Sequence, residues 1–191
     1  MINENIDVIT EKKFSWNVIV TLYKEGFKDA IHALSPHGVV RATNFFNVLV
    51  MHVEDMDKFL HDFAIEMSEK PYLGNSISRL TPVMRALTFN SREEFEDKAK
   101  RIADEWVDLI AGKTFYVRMH RRGFREKISS LDEEQFLDRH LLKSLDERGL
   151  AAKITFTDPD FIIDVETLNN QGSLSIWSRD DIKAYPFLHL D

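Results

Sequence analysis

The segment KTFYVRMHRRGFREK, residues 113–127, begins as a strand and ends as a cluster of cations. The first residues alternate, with Phe115, Val117 and Met119 on one side and Tyr116, Arg118 and His120 on the other, and this period of two predicts a strand with one buried face. Six Lys and Arg residues against one acid, Glu126, give the segment a charge of +5, whereas the whole chain carries −7. Because neighbouring like charges repel one another, a cationic strand end on an acidic protein indicates an anionic partner.

Two features of this region have more than one interpretation. A run of charge is most often a solvated surface, and the acids that follow, among them Glu133 and Glu134, could neutralise the cations within the fold. The strand would then suit a protein-interaction module that docks an acidic partner. Gly123 permits backbone conformations closed to other residues, so it indicates either a loop that lets backbone N–H groups approach phosphate or an ordinary turn.

The residues before the basic segment alternate between strand and helix patterns in the order βαββαβ. Short β-branched runs indicate strands, Asp55 is a predicted helix cap, and Pro and Gly residues separate the elements. This order is that of the ferredoxin-like fold, a four-stranded antiparallel sheet with two helices on one face. The predicted elements are a strand at Trp16–Tyr23, a helix at Glu25–Leu34, strands at Val39–Ala42 and Asn47–Val53, a helix from Met56 to Ser68 and a strand at Val83–Phe89.

The remaining residues predict the order αβαβββ. Capping boxes at Ser91–Glu94 and Ser130–Glu133 open two amphipathic helices, and Gly112 and Gly149 end them. We therefore expect an α+β protein in which a ferredoxin-like domain packs against a second α/β domain. The predicted divisions are a polar lead-in at 1–13, the first domain at 14–90 and the second at 91–191. The strands expected late in the second domain are Lys153–Phe156, Phe161–Glu166 and Ser173–Trp177.

The motifs of several enzyme classes are missing from the sequence. The chain has no Cys, no glycine-rich phosphate loop and no G-x-S-x-G elbow, and its seven His residues are scattered. We therefore expect no enzymatic activity, no cofactor and no metal site, although His52 and His61 with nearby acids offer one metal-site alternative. An unrecognised carboxylate site is a further alternative. No apolar leader or membrane-length apolar stretch occurs, which predicts a cytoplasmic protein.

Three segments resemble the THUMP domain of RNA-modification proteins: TPVMRALTFNSREEFEDKAKRIADEW (81–106), KTFYVRMHRRG (113–123) and TFTDPDFIIDVETLNNQGSLSIWS (155–178). A ferredoxin-like unit also usually precedes that domain, so the resemblance extends over roughly residues 14–185. It implies tRNA binding at the acceptor end. The terminal SRDDIKAYPF resembles the standalone branch of the family, which implies a non-catalytic adaptor for a tRNA-modifying enzyme supplied in trans, such as a cytidine acetyltransferase.

The basic strand is the predicted RNA-binding site. Planar guanidinium groups bind phosphate through two donors at once, and Tyr116, or Phe124 if exposed, would stack on a terminal base. Two arginines before the second domain would widen the surface. The predicted RNA-binding residues are Lys113, Tyr116, Arg118, His120, Arg121, Arg122, Arg125 and Lys127, together with Arg79 and Arg85.

Overall fold

A computed structural model describes residues 15–124 and 126–190 of the chain. It confirms the mixed α and β architecture, with two sheets, one in each half of the chain. The predicted lead-in at residues 1–13 lies outside the described residues. The domain divisions at residues 14–90 and 91–191 stay predictions.

The first half forms an antiparallel sheet with the strand order β2-β3-β1-β4. The central strand β1 carries Val18 and Val20, which are fully buried beneath the two helices because they alternate with residues of the opposite face. Asp55 caps α2 as expected, since its Oδ1 accepts the Lys58 N–H at 2.9 Å. The elements are β1 (Val18–Leu22), α1 (Phe27–Leu34), β2 (Val39–Ala42), β3 (Val48–His52), α2 (Met56–Glu69) and β4 (Ile77–Pro82).

The last strand of this sheet is not where the sequence placed it. The prediction was Val83–Phe89, whereas β4 pairs with β1 so that Pro82 lies opposite Val18. Pro82 is compatible with this strand because β4 is an edge of the sheet, where a missing N–H breaks no ladder. The next strand, β5 (Arg85–Thr88), joins the second sheet instead. The chain therefore changes sheets between Pro82 and Arg85.

The second sheet has the strand order β5-β9-β8-β6-β7. Strand β6 is parallel to both β7 and β8, and β8 forms an antiparallel hairpin with β9. Ser91 caps α3 as expected, but Ser129 rather than Ser130 caps α5. The elements after β5 are α3 (Arg92–Ala103), α4 (Val107–Ile110), β6 (Thr114–Arg122), α5 (Ser130–Glu147), β7 (Lys153–Ile154), β8 (Phe161–Leu168), β9 (Gln171–Ser178) and α6 (Arg179–Ala184).

The two halves share a hydrophobic core. One face of β6, represented by Phe115 and Val117, packs with α3 and α5 in a core of the second half. The opposite face contributes Tyr116 to a cluster that contains Phe63 of α2 and Phe187 near the C-terminus. The domains are therefore packed against each other, as expected. No helix in the described part of the chain has the length and apolar character needed to cross a bilayer, and a cytoplasmic location stays a prediction.

Candidate nucleic-acid interface

The basic strand β6 is fixed along its outer edge by acids of α5. Because β7 has only two residues, no strand among the described residues pairs with that edge beyond Phe115. The Val117 N–H donates to Asp138 Oδ1 at 3.1 Å, and the Met119 N–H donates to Glu134 Oε1 at 2.7 Å. Burial raises the pKa of Asp138 to about 7, although the Val117 N–H opposes the shift. Carboxylates thus satisfy backbone donors that would otherwise be unpaired.

Asp138 should make stability fall as the pH rises. Its pKa is raised in the folded state, so its stabilising contribution is complete below the unfolded pKa and is lost as the pH passes through about 7. Asp138→Asn keeps an oxygen for the Val117 N–H but cannot ionise. Thermal melting from about pH 5 to about pH 8 should therefore show a flatter pH dependence in this variant than in the wild type. Asp146→Asn, on the exposed side of the same helix, should leave the wild-type slope unchanged.

An ion-pair network joins β6 to the sheet of the first half, on the face of β6 that also carries Tyr116. Glu166 of β8 is fully buried and accepts hydrogen bonds from Arg79 Nη2 at 2.8 Å and from Arg122 Nη1. Arg122 Nη2 also donates to Thr21 Oγ1 of β1 at 2.7 Å. One carboxylate therefore holds arginines from both sheets, and we call Arg79, Arg122 and Glu166 the arginine–glutamate bridge.

His120 and Asp164 lie beside this bridge. Arg79 Nη1 is 2.9 Å from His120 Nε2, and burial together with the charges of Arg79 and Arg122 lowers the pKa of His120 to about 3. The imidazole is therefore neutral near pH 7. Asp164 is almost completely buried, with one oxygen 3.8 Å from His120 Nε2. Burial, then the charge of Glu166, raises the pKa of Asp164 well above its usual value.

The side chains of His120, Asp164 and Glu166 place possible ligand atoms within 4.8 Å of one another, which makes them a geometric candidate for a metal site. The chemistry of the cluster argues against a resident cation. Both Glu166 oxygens already bind guanidinium groups, and Arg79 lies against the His120 ring. A metal ion would have to displace these cations. No comparable ligand group forms around His52 or His61 among the residues that the structure describes.

The predicted RNA-binding residues do not form a single exposed surface. Lys113 and Lys127 are exposed, and the Arg118 side chain is 36% exposed, with Nη1 at 4.0 Å from Glu134. Arg121 donates to the Gly123 carbonyl oxygen at 2.7 Å. Arg79, His120 and Arg122 are held in or beside the arginine–glutamate bridge, and Arg125 lies outside the described residues.

Two of the predicted site residues require correction. Tyr116 is only 1% exposed, because the face of β6 expected to be polar packs at this level against the core shared by both halves. Its ring is therefore not accessible for stacking on a base. Arg85 lies on β5, three strands from β6 in the sheet order, and pairs with Glu105 at 2.9 Å. It therefore does not extend the surface formed by β6.

The acids expected to neutralise the strand are used in different ways. Glu133 is buried and pairs with Arg92 of α3 at 2.9 Å, so it does not act on the cations of β6. Burial raises its pKa to about 7 against the opposing charge of Arg92. Glu166 and Asp164, which the sequence analysis missed, lie against Arg122 and His120 of the basic strand. Their signal was available, since two acids occur at alternating positions in the apolar run FIIDVETL.

Gly123 serves a turn packed against the β8–β9 hairpin. Its φ of +87° is strained for other residues, and a Cβ atom there would lie 2.7 Å from Asn169 Oδ1 and 2.9 Å from Asn169 Cα. The Asn169 N–H also donates to the Arg122 carbonyl oxygen at 2.8 Å. Phe124 packs against Phe89, with ring centroids 5.1 Å apart. These contacts account for the glycine as a turn residue, and a phosphate-binding role for this loop stays a prediction.

Comparison with known proteins finds relatives whose names refer to tRNA. No family model matches the chain. It is 24% identical over 153 residues to tRNA sulfurtransferase of Klebsiella pneumoniae, covering 75% of this chain and 30% of that protein. Among solved structures, the match with TrmN from Thermus thermophilus covers 84% of this chain and 44% of the TrmN chain, with a TM-score of 0.56 and 16% identity. The match with a 4-thiouridine synthetase in complex with RNA and ATP covers 86% of this chain and 42% of the synthetase chain, with a TM-score of 0.51 and 15% identity.

The solved structures support the predicted fold. The name of the sulfurtransferase refers to tRNA, and none of these three names refers to the acetylation branch. The relatives also contradict the prediction that the protein is not an enzyme. Both curated relatives are tRNA sulfurtransferases, which are enzymes, and this chain spans about 30% of their length. The lack of catalytic motifs did not justify that prediction, because this chain matches only part of those enzymes.

Proposed function

We propose that this chain binds tRNA and holds it for a tRNA-modifying reaction. The observation that carries the proposal is that Lys113, Arg118 and Lys127, on the basic strand and at its two ends, reach solvent on a chain with a net charge of −7, and we call these three residues the cationic edge. Cations that reach solvent attract phosphate through a charge interaction that needs no particular base sequence. The similarity to a tRNA sulfurtransferase supports tRNA as the nucleic acid.

The arginine–glutamate bridge has a positioning role in this proposal. Arg79 and Arg122 are paired with buried Glu166, so they are less available to phosphate than Arg118. The bridge fixes the end of β6 relative to the first domain. The cationic edge thereby stays in one orientation, which reduces the entropy lost on binding a rigid RNA.

We also propose the acceptor end as the bound part of the tRNA, and a modifying enzyme such as a cytidine acetyltransferase as a partner. Both follow from the family resemblance. Purifying the tagged full chain from its own cells tests them together. Sequencing of protected RNA fragments should recover acceptor ends, and mass spectrometry should recover a tRNA-modifying enzyme. Protected fragments confined to the anticodon arm would contradict the first, and purification without such an enzyme would contradict the second.

The triple variant Lys113→Ala, Arg118→Ala, Lys127→Ala should bind tRNA more weakly and with a lower salt dependence. If about four phosphates are neutralised, the wild-type slope of log K against log salt is about −3, and each lost contact reduces it by about 1. Filter binding across a salt series measures both quantities. The loss should be similar for all tRNA sequences, since phosphate contacts position the RNA without specifying its sequence.

A matched control replaces cations on the helical side of the second domain. Arg101 and Lys143 have exposed side chains, and both pair with acids of their own helix. Arg101→Ala and Lys143→Ala together should leave the affinity and slope close to wild type. Equal tRNA binding by the triple variant and the wild type would contradict the proposal. Loss of binding to an acidic protein with unchanged tRNA binding would favour the interaction-module alternative.

A further inference from the structure

Phe156 lies in the turn between β7 and β8, and its apolar side chain points into solvent. The residue is 69% exposed, although it lies only two residues after β7 of the second sheet. Single exposed apolar residues are common and need no explanation by themselves. Phe156 differs from Phe46, which is 80% exposed, because Phe46 makes no ring contact with the residues that the structure describes. The Phe156 ring lies 5.2 Å from the ring of Tyr116, with an interplanar angle of 51°.

The turn that carries Phe156 is held by several hydrogen bonds. The Thr155 N–H donates to the Phe115 carbonyl oxygen at 3.1 Å, which fixes the residue before it. After it, Asp160 accepts from the Thr114 N–H at 2.8 Å, and Arg179 Nη2 donates to the Asp158 carbonyl oxygen at 2.6 Å. The exposed ring is therefore supported from below by buried Tyr116 and fixed at both ends of its turn.

Cationic residues lie on or next to the strands beside this turn, and the acids of the turn are already paired. The guanidinium carbon of Arg118 lies 5.8 Å from the centroid of the same Tyr116 ring, so Arg118 and Phe156 share a neighbour. Lys153 and Lys113 are exposed at the starts of β7 and β6. The acids of the turn, Asp158 and Asp160, pair with Arg179 at 2.8 and 3.3 Å. The surroundings of Phe156 therefore favour an anionic ligand.

We infer that Phe156 stacks on an unpaired nucleobase of bound RNA, with Arg118 binding a phosphate of the same strand. Every nucleobase has an aromatic face, and an exposed ring beside cations is the usual means of binding single-stranded RNA. The buried Tyr116 supports the platform rather than touching the base. The inference rests on the proposed function and adds to it a preference for unpaired nucleotides.

The test compares two RNAs on the same protein. One is a hairpin with a short single-stranded 3′ overhang, and the other is the same hairpin with a blunt end. The full-length wild type should bind the overhang RNA more tightly. Phe156→Ala should weaken its binding about tenfold to a hundredfold and leave blunt-end binding unchanged. Phe156→Trp should keep the preference, and Phe46→Ala is the control for removing an exposed Phe.

The ratio of the two affinities separates this inference from loss of fold, because partial unfolding of a variant lowers both affinities together. A fluorescent purine analogue in the overhang gives a second reading, since stacking should quench it in the wild type and not in Phe156→Ala. Equal binding of both RNAs by the wild type, or an unchanged ratio in Phe156→Ala, would overturn the inference and leave the proposed function standing. Wild-type protein that binds neither RNA nor whole tRNA would overturn both. A change of oligomeric mass in Phe156→Ala with an unchanged ratio would assign the ring to a protein contact instead.

Discussion

Glu166→Ala is expected to lower the free energy of unfolding by about 3–5 kcal/mol, because it leaves the charges of Arg79 and Arg122 without their shared partner in a buried site. Glu166 is fully buried and both of its oxygens are engaged, so water cannot easily take its place. Urea denaturation followed by circular dichroism measures the change. Glu126→Ala, an exposed acid in the same region, is the control and should change stability by about 0.5 kcal/mol or less.

A second mutation separates the ion pair from general packing. Arg122→Ala in the Glu166→Ala background should cost much less than Arg122→Ala in the wild type, because the interaction has already been lost. A coupling energy near zero between these two positions would show that the bridge does not contribute to the stability of the fold. So would a loss of less than about 1 kcal/mol in Glu166→Ala, which is below the range for a broken buried pair.

Phe115→Ala should destabilise the protein by about 3–5 kcal/mol, since the substitution leaves a cavity between β6 and the helices that cover it. Phe115 is fully buried in the core of the second half. For a chain of this size the loss corresponds to a fall in the melting temperature of roughly 6–20 °C. Phe46→Ala removes the same side chain from an exposed position and should melt close to wild type. Similar melting of the two variants would contradict the buried assignment of this face of β6.

Local signals were the most reliable part of the sequence analysis. The alternation in residues 115–120 predicted the strand β6 and its buried face, with Phe115, Val117 and Met119 in the core. Asp55 and Ser91 cap helices as expected, because a cap depends on residues within one helical turn. Pairing between strands was less predictable. The segments that became β4 and β5 lie side by side in the sequence, and only the partner strands β1 and β9 distinguish their sheets.

In the candidate site, the sequence likewise predicted the charges but not the surroundings of each side chain. The sequence indicated the cations of β6 and their excess over nearby acids. It did not indicate that Arg79 and Arg122 meet across two sheets on Glu166, a residue 87 positions from Arg79 and 44 from Arg122. The period of a strand shows that two faces differ, but it does not show what covers each face. Arg118 and Arg122 lie on the same face of β6, yet the Arg118 side chain is 36% exposed and that of Arg122 is held by buried Glu166.

The sequence by itself determined the α+β class, the order of most elements and the position of the basic strand, because these depend on periodicity, capping and local charge. Only the tertiary structure decided that Tyr116 is buried, that Phe156 is exposed above it, and that Arg79 and Arg122 are held in the bridge while Arg118 is partly exposed. Burial is a property of the whole packing arrangement. It is set by elements distant in sequence, such as the C-terminal segment and α2, which form one core with Tyr116.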